Sequence, residues 1–453
     1  DLLDLLRRLD ADLDDPAESL IVWGFDPIYF PGERLAAHHL DLVSRTRPIC
    51  VMHASLHLIT VNTALMEREG FAEGSEVEGV PVGADGRPVG ELQEPAAMSL
   101  ARAEMRALWG ALSDPAALQR FADMARVVGC TTVTELGGAR INSDADAALW
   151  TDVAAAEGFP ARFVPLFNPD RGYRGSPDEI AEHVVGLRRQ STDRVRFGLV
   201  KMVLDGSIQG FTARLNPPGY LPHPDGTERP NGIWLLEPEQ FAMWFDALHR
   251  RHVTVHTHVN GDQAVDLLLD TVESVLADHS WFDHRHTAQH TQLTTPSQYR
   301  RMAAMGMNAN IFSNHIFYWG DQHRDVTVGA DRAARMDACA TADREGVRYS
   351  IHSDASVTPL GSLHTVWCAV NRVTATGEVL GPGERISVDR ALRAVTVDAA
   401  HQLRLDHELG TIQAGKLADF VALADDPHDV DPMSIKDIAV RGTVVGGEPT
   451  SST

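Results

Sequence analysis

The chain has 453 residues, 43% of them hydrophobic and 23% charged, a globular balance that argues against wholesale disorder. Its 40 basic and 63 acidic side chains leave a formal charge of −23. That argues against nucleic acid and membranes as partners, because phosphate and anionic lipid both need clustered Lys and Arg.

No apolar run approaches the roughly 18 residues of a membrane span. Four cysteines, at 50, 130, 339 and 368, show no CxxC spacing and fit buried thiols in a reducing, cytoplasmic setting. The chain opens on Asp1, and DLLDLLRRLDADLDD reads as an amphipathic helix already under way, so the sequence is expected to continue upstream. A signal peptide in that upstream part stays open.

In chain order, residues 24–40 (GFDPIYFPGERLAAHHL) are rich in Pro, Gly and aromatics and read as a long loop over an active face. From residue 129 one theme repeats: a short β-rich apolar run ends in polar or glycine residues, and a helical stretch follows. GCTTVTELGG (129–138), ARFVPLF (161–167), RFGLVKMVLDGS (196–207), HVTVHTHVNGD (252–262), HTAQHTQL (286–293), GMNANIF (306–312) and VRYSIHSDA (347–355) make seven such runs. Strands alternating with helices indicate parallel βα units, and seven of them predict an α/β fold of the (β/α)8 TIM-barrel type. No GxGxxG turn follows any run, which counts against a doubly wound dinucleotide-binding sheet.

Residues 208–232 interrupt the rhythm as a second Pro- and Gly-rich loop. After the barrel domain of 1–405 the character changes. LGTIQAGKLADFVALADDP (409–427) and IAVRGTVVGG (438–447) read as short strands with glycine turns. They predict the C-terminal part of a small β-sandwich subdomain over 406–453, with EPTSST as a frayed tail.

In a barrel of this kind, chemistry gathers at the C-terminal ends of the strands. Four strand ends carry metal-capable side chains: Lys201, His258, His290 and Asp354. They are 57, 32 and 64 residues apart. With about 30 residues per βα unit, these spacings place them on strands 4, 5, 6 and 8, converging on one mouth. Neutral imidazoles bind zinc-like ions. An aspartate can ligate and also take a proton from a water whose pKa the metal lowers towards about 7. An ammonium cannot ligate, so Lys201 must be neutral or, better, carboxylated. Any one of these residues alone reads blandly, as a hydrogen-bonded His, an N-cap Asp or a cation for a carboxylate. The four together at barrel spacing do not.

These residues resemble a known family. The chain is similar to the amidohydrolase superfamily, in its amidohydrolase-3 group with the YtcJ-like proteins and N-substituted formamide deformylases. VKMVLDGSIQGFTARL, VHTHVNGDQAV, RHTAQHTQL, IHSDASVTPL, HLITVNTALMEREGF (57–71) and ALRAVTVDAAHQLRLDHELGTIQAGKLADFVALADDP carry the likeness in the family's order. The resemblance implies that Lys201 is a bridging, carboxylated ligand and that His258 and His290 hold a second metal. It implies that Asp354 is both ligand and general base. His315, in the SNHIFYWGD loop after strand 7, would polarise the substrate carbonyl or stabilise the oxyanion, with His57 and Asp205 as substrate contacts; Trp319, in the same loop, suggests an aromatic-friendly pocket.

The superfamily also carries a His-x-His pair at the end of strand 1. The His256-to-His258 pair sits on strand 5, after the lysine strand, so the N-terminal β segment and strand 1 are expected upstream of Asp1. Glu135, at the end of strand 3, is a rival ligand.

The resulting expectation is a metal-dependent hydrolase that cleaves an amide-type C–N bond of a small N-acyl or N-formyl amide by metal-activated hydroxide. Zinc is the default ion, and manganese, iron or cobalt would also fit. A cyclic imide, lactam or carbamate hydrolase, a deaminase, and a non-catalytic binding protein with an incomplete metal site stay open. So does a homodimer.

Overall fold

The computed structural model describes residues 2–30, 32–112, 114–137, 140–223 and 226–450. The chain divides into two compact units. The first comprises Asp1–Ala111, Gly206–Ala213 and Asn231–Leu235; the second comprises Leu112–Asp205, Arg214–Pro230 and Leu236–Thr453.

In the first unit the expected amphipathic helix forms over Leu2–Ala11. It buries Leu6 in a cluster with Leu20, Leu40, Ile49 and Val51. A four-stranded sheet runs in the order β1 (Leu20–Phe25), β2 (Ile49–His53), β3 (Leu58–Val61) and β4 (Glu91–Gln93). The sequence reading assigned residues 24–40 wholly to a loop. They include the end of β1, a turn at Pro27–Tyr29 capped by Asp26, and a short helix at Ala37–Leu40. Asn62 explains why β3 gives way to a helix: its Oδ1 accepts from Leu65 N at 3.1 Å, capping Thr63–Glu69.

The second unit realises the repeating rhythm. Seven strands follow one another: β5 (Thr132–Glu135), β6 (Arg162–Pro165), β7 (Val200–Val203), β8 (Val255–Val259), β9 (Thr287–His290), β10 (Asn308–Ile311) and β11 (Arg348–Ile351). β5 pairs with β6, and β7 to β11 form a five-stranded sheet in sequence order, every pairing parallel. Single parallel bridges from Phe163 to Val195 and from Phe167 to Val200 continue the series from β6 to β7. Strands β8, β9 and β10 are buried at every residue, as parallel strands covered on both faces must be.

The intervening helices start where the sequence supplies caps. Ser176 with Glu179 and Thr295 with Gln298 form capping boxes followed by Pro, each worth about 1 kcal/mol. Gly306, at φ 75°, ends the helix Pro296–Met305 in the left-handed conformation that glycine tolerates, and the chain turns into β10.

Residues 313–325, read as a loop, instead carry the helix Asn314–Gln322. The C-terminal strands β12 (Phe420–Leu423), β13 (Val440–Val445) and β14 (Glu448–Thr450) form a separate antiparallel sheet. Of the expected frayed tail, Glu448–Thr450 is therefore paired, and residues 451–453 lie outside the described residues, as do Gly138 in the strand-3 run and Pro224 and Asp225 in the loop 208–232. All four cysteines are free thiols. Among the described residues no helix is long and apolar enough to cross a membrane.

Candidate metal centre

The second unit brings the four strand-end residues into one neighbourhood. Register alone would not. His290 pairs with Val259 on one side, and on the other with Ile311, positions that alternate away from His258. The backbone of His290 is left-handed, at φ 70°, and that breaks the alternation. Its ring then stands edge-on to His258, with centroids 4.5 Å apart. Asp354, three residues beyond β11, is also left-handed, at φ 52°. Its Oδ2 lies 4.0 Å from Nδ1 of His290. Such strain in a non-glycine residue costs of order 1–3 kcal/mol and persists only where the surroundings over-determine it. Donor atoms of His290, His352 and Asp354 all lie within 4.8 Å of one another.

Lys201 is 3% exposed. Among the described residues its amine has no hydrogen-bond partner and no carboxylate within ion-pair distance. Burial pushes its pKa down from 10.5 to about 8, against the opposing pull of Asp354 and Glu135. A buried, unpaired ammonium is costly. A neutral amine, or one converted to an anion that ligates a cation, removes that cost. This orphaned group is where the structure fits a metal: two imidazoles, a carboxylate and an unpartnered amine converge in a buried site.

A hydrogen-bond chain fixes the imidazole tautomers. The Gln289 amide donates to Nδ1 of His256 at 2.6 Å, and the Asn310 amide donates to Oε1 of Gln289 at 2.7 Å. Nδ1–H of His352 then donates to Oδ1 of Asn310 at 3.0 Å. That leaves Nε2 of His352 as an acceptor for Nδ1–H of His290, 3.0 Å away. The remaining nitrogen of His290, Nε2, carries a lone pair. A metal-binding histidine that donates its other N–H to a fixed acceptor is the usual arrangement. Burial, then the charge of Lys201, lowers the pKa of His352 and of His256 to about 3, so both rings are neutral.

The Asn-Gly-Asp run after β8 has a mechanical reason. The carboxylate of Asp205 accepts backbone N–H groups from Asn260 (3.0 Å), Gly261 (2.9 Å) and Arg214 (3.0 Å). A Cβ on Gly261 would run into the Arg214 backbone, and Asp262 accepts from Asn216 N at 2.9 Å. This lock sets the end of β8. The side-chain amide of Asn260 lies 3.0 Å from Nε2 of His258.

His315 is buried. Its Nδ1 lies 2.8 Å from Nε2 of His323, whose Nδ1 lies 2.8 Å from Oγ1 of Thr327. Burial, then the charges of His323 and His352, holds the pKa of His315 well below its usual value. Trp319 is 2% exposed and packs on the His315 ring, with centroids 4.5 Å apart. His57 belongs to the first unit, where its Nδ1 lies 2.7 Å from a carboxylate oxygen of Glu94. The sequence reading passed over His352, Gln289 and Asn310. A signal existed: polar residues in the middle of strands buried on both faces.

A family model described as the amidohydrolase family matches residues 1–451. The protein LONG AFTER FAR-RED 3 of Arabidopsis thaliana is 26% identical over 437 residues, covering 94% of this chain and 72% of that protein. The N-substituted formamide deformylase of Arthrobacter pascens is 24% identical over 417 residues, covering 90% of this chain and 74% of that one. The crystal structure of an uncharacterized metal-dependent hydrolase from Pyrococcus horikoshii OT3 superposes with a TM-score of 0.69 at 18% identity, over 95% of this chain and 80% of that one, a likeness of fold. Matched by the family model along nearly its whole length, the chain belongs to the amidohydrolase family and is a hydrolytic enzyme.

Proposed function

We propose that the seven parallel strands belong to a (β/α)8 barrel with a small β subdomain, and that the enzyme is a metal-dependent hydrolase of a small N-acyl or N-formyl amide. The observation that carries this reading is the buried, unpartnered Lys201, influenced by two carboxylates, Asp354 and Glu135, in the same site as the His258–His290 pair. Lys201, His258, His290 and Asp354 would hold the ion, with zinc favoured by the mixed nitrogen and oxygen donors. A divalent ion bound there polarises a carbonyl and makes a water acidic enough to serve as nucleophile.

The residues divide the remaining work. Lys201, as the neutral amine, would add CO₂ and give up one N–H proton to water, becoming a carbamate with two donor oxygens. Asp354 accepts a proton from the attacking water and returns it to the departing amine nitrogen. His315, its ring held by His323 and Thr327, would donate from Nε2 to the developing oxyanion. Trp319 backs that ring, and Asp205 holds the strand end bearing His258. His57 is proposed as a substrate contact on the family likeness of its segment. The substrate class is supported by the name of the Arthrobacter relative, which is a formamide deformylase.

The test is metal analysis combined with turnover of N-benzylformamide. The expected result is one or two ions per chain, amine and formate released in equal amounts, and activity lost to a chelator and restored by zinc, manganese or cobalt. Protein that binds no ion after reconstitution, or hydrolyses the amide equally well under chelation, would overturn the reading. Ammonia release without a carboxylate would make it a deaminase instead.

A further inference from the structure

At the N-terminal end of strands β7 to β9, opposite the end that bears the candidate metal ligands, lies a cavity of about 390 Å³. Its apolar lining includes Val164, Phe197, Leu199 and Leu405. Around that lining stand three guanidinium groups, Arg188, Arg196 and Arg404, with His252 stacked on Trp281 at 4.8 Å. The volume falls in the range of small-molecule sites.

The charges around this cavity are not balanced. Arg196 pairs with Glu408 at 2.5 Å. Arg404 pairs with Asp283 at 3.2 Å, donates to Thr254 Oγ1 at 2.8 Å, and lies 5.1 Å from the centre of the Trp281 ring. Arg188 has no carboxylate within ion-pair distance among the described residues, and donates instead to the carbonyl of His252 at 2.6 Å. Its stem is seated deliberately. Gly198, at φ +106°, leaves the space the side chain occupies, and a Cβ there would come within 2.9 Å of Arg188 Nε. Arg188 and Arg404 line the same cavity, and burial, then the charge of Arg404, lowers the pKa of Arg188. In a chain of net charge −23, carboxylates to neutralise Arg188 are plentiful, yet none is supplied.

We propose that this cavity is a second ligand site, remote from the metal centre, for a small organic anion with an aryl or branched-alkyl body. Arg188 and Arg404 take the anionic group, for which a guanidinium offers paired N–H donors. The apolar lining takes the body. Positive charge at this end of the strands has no use in the hydrolysis, since reacting groups sit at the other end.

The experiment is calorimetric titration of the protein with phenylacetate, with and without EDTA. Acetate and benzyl alcohol serve as half-ligands, and phenyl phosphate as a second source of the anion. Phenylacetate is expected to bind at one site per chain in both conditions. Each half-ligand is expected to bind weaker by about tenfold or more, and Arg188→Gln to weaken phenylacetate by about tenfold or more while amide hydrolysis is unchanged. Phenyl phosphate binding as well as phenylacetate assigns the site to organic anions generally; weaker binding narrows it to carboxylates. Arg404→Gln, scored the same way, covers the case in which Arg188→Gln does not fold. No heat up to about 10 mM phenylacetate, affinity unchanged in the folded variants, or binding lost on chelation would each overturn the proposal.

Discussion

Histidines crowd both ends of strands β8 and β9, and the two groups behave differently. At the N-terminal end, every nitrogen of three buried rings is spent within the fold. His286 Nδ1 accepts from Val255 N at 3.1 Å, and its Nε2–H donates to His249 Nδ1 at 2.9 Å. His249 then donates to the His279 carbonyl at 2.6 Å. His284 accepts from His286 N at 2.9 Å and donates to the Met305 carbonyl at 2.8 Å. At the C-terminal end, the hydrogen-bond chain runs from Gln289 through Asn310 and His352 to Nδ1 of His290, whose ring faces His258 and Asp354. The backbone there is strained, and among the described residues the neighbouring lysine makes no hydrogen bond or ion pair. Burial lowers the pKa of rings at both ends, so a depressed pKa does not separate the groups. What separates them is what they face: backbone groups and one another at the first end, a carboxylate and a buried lysine at the second.

The comparison breaks most visibly at Asp354. If the open end is the reacting end, Asp354→Asn removes both a ligand and the proton carrier. Turnover of N-benzylformamide should fall by about 10²–10⁴-fold, the usual share of a general acid–base group. Initial-rate kinetics at saturating metal measure this. A variant that keeps wild-type kcat would show that the carboxylate is not the base.

A smaller effect is expected one step back along the chain of donors. His352 touches the metal site only through His290, whose Nδ1–H it accepts. His352→Asn should therefore weaken metal affinity by about 10–100-fold, the typical cost of losing an orienting partner, and leave kcat near wild type once metal is saturating. Equilibrium dialysis against zinc, paired with kcat at high zinc, reads the two quantities separately. Loss of all binding would make His352 a direct ligand, which its place in the three-residue donor group with His290 and Asp354 also allows.

Much of this was legible in the sequence. The seven β-rich runs from 129 to 355 all form strands, because parallel strands buried on both faces announce themselves as short apolar runs between helices. The convergence of Lys201, His258, His290 and Asp354 followed from spacing at about 30 residues per unit. Three things were not legible. His352 sits two residues before Asp354, but nothing in IHSDA says that its ring turns toward His290; that depends on a left-handed backbone in another strand. Gln289 and Asn310 share a rung only because β9 and β10 pair in that register. The family resemblance implies a substrate contact at Asp205, and nothing in the sequence says that its carboxylate also gathers the backbone N–H groups of Arg214, Asn260 and Gly261. Periodicity reports which residues lie inside. It does not report which of them have already found partners.

The least dramatic change tests the closed end. His249→Phe keeps an aromatic ring in place but leaves the His279 carbonyl and the His286 Nε2–H without their partners, at a cost of about 1–3 kcal/mol. Metal content and kcat should not move. The pH dependence sharpens the point. His249, His284 and His286 all have folded-state pKa values below the ordinary 6.5, so the native state binds fewer protons than the unfolded chain once the pH drops past that value. Stability therefore falls as the medium is acidified from about pH 6.5 downward. His249→Phe deletes one of the three groups and should make that decline shallower by up to one proton, even though the variant starts from a lower stability. Denaturant titrations of chelated protein at several pH values between about 4.5 and 7.5 measure both terms. A decline as steep as wild type, or loss of bound zinc in the untreated variant, would mean that the histidines at the two ends are not the separate populations their hydrogen bonds describe.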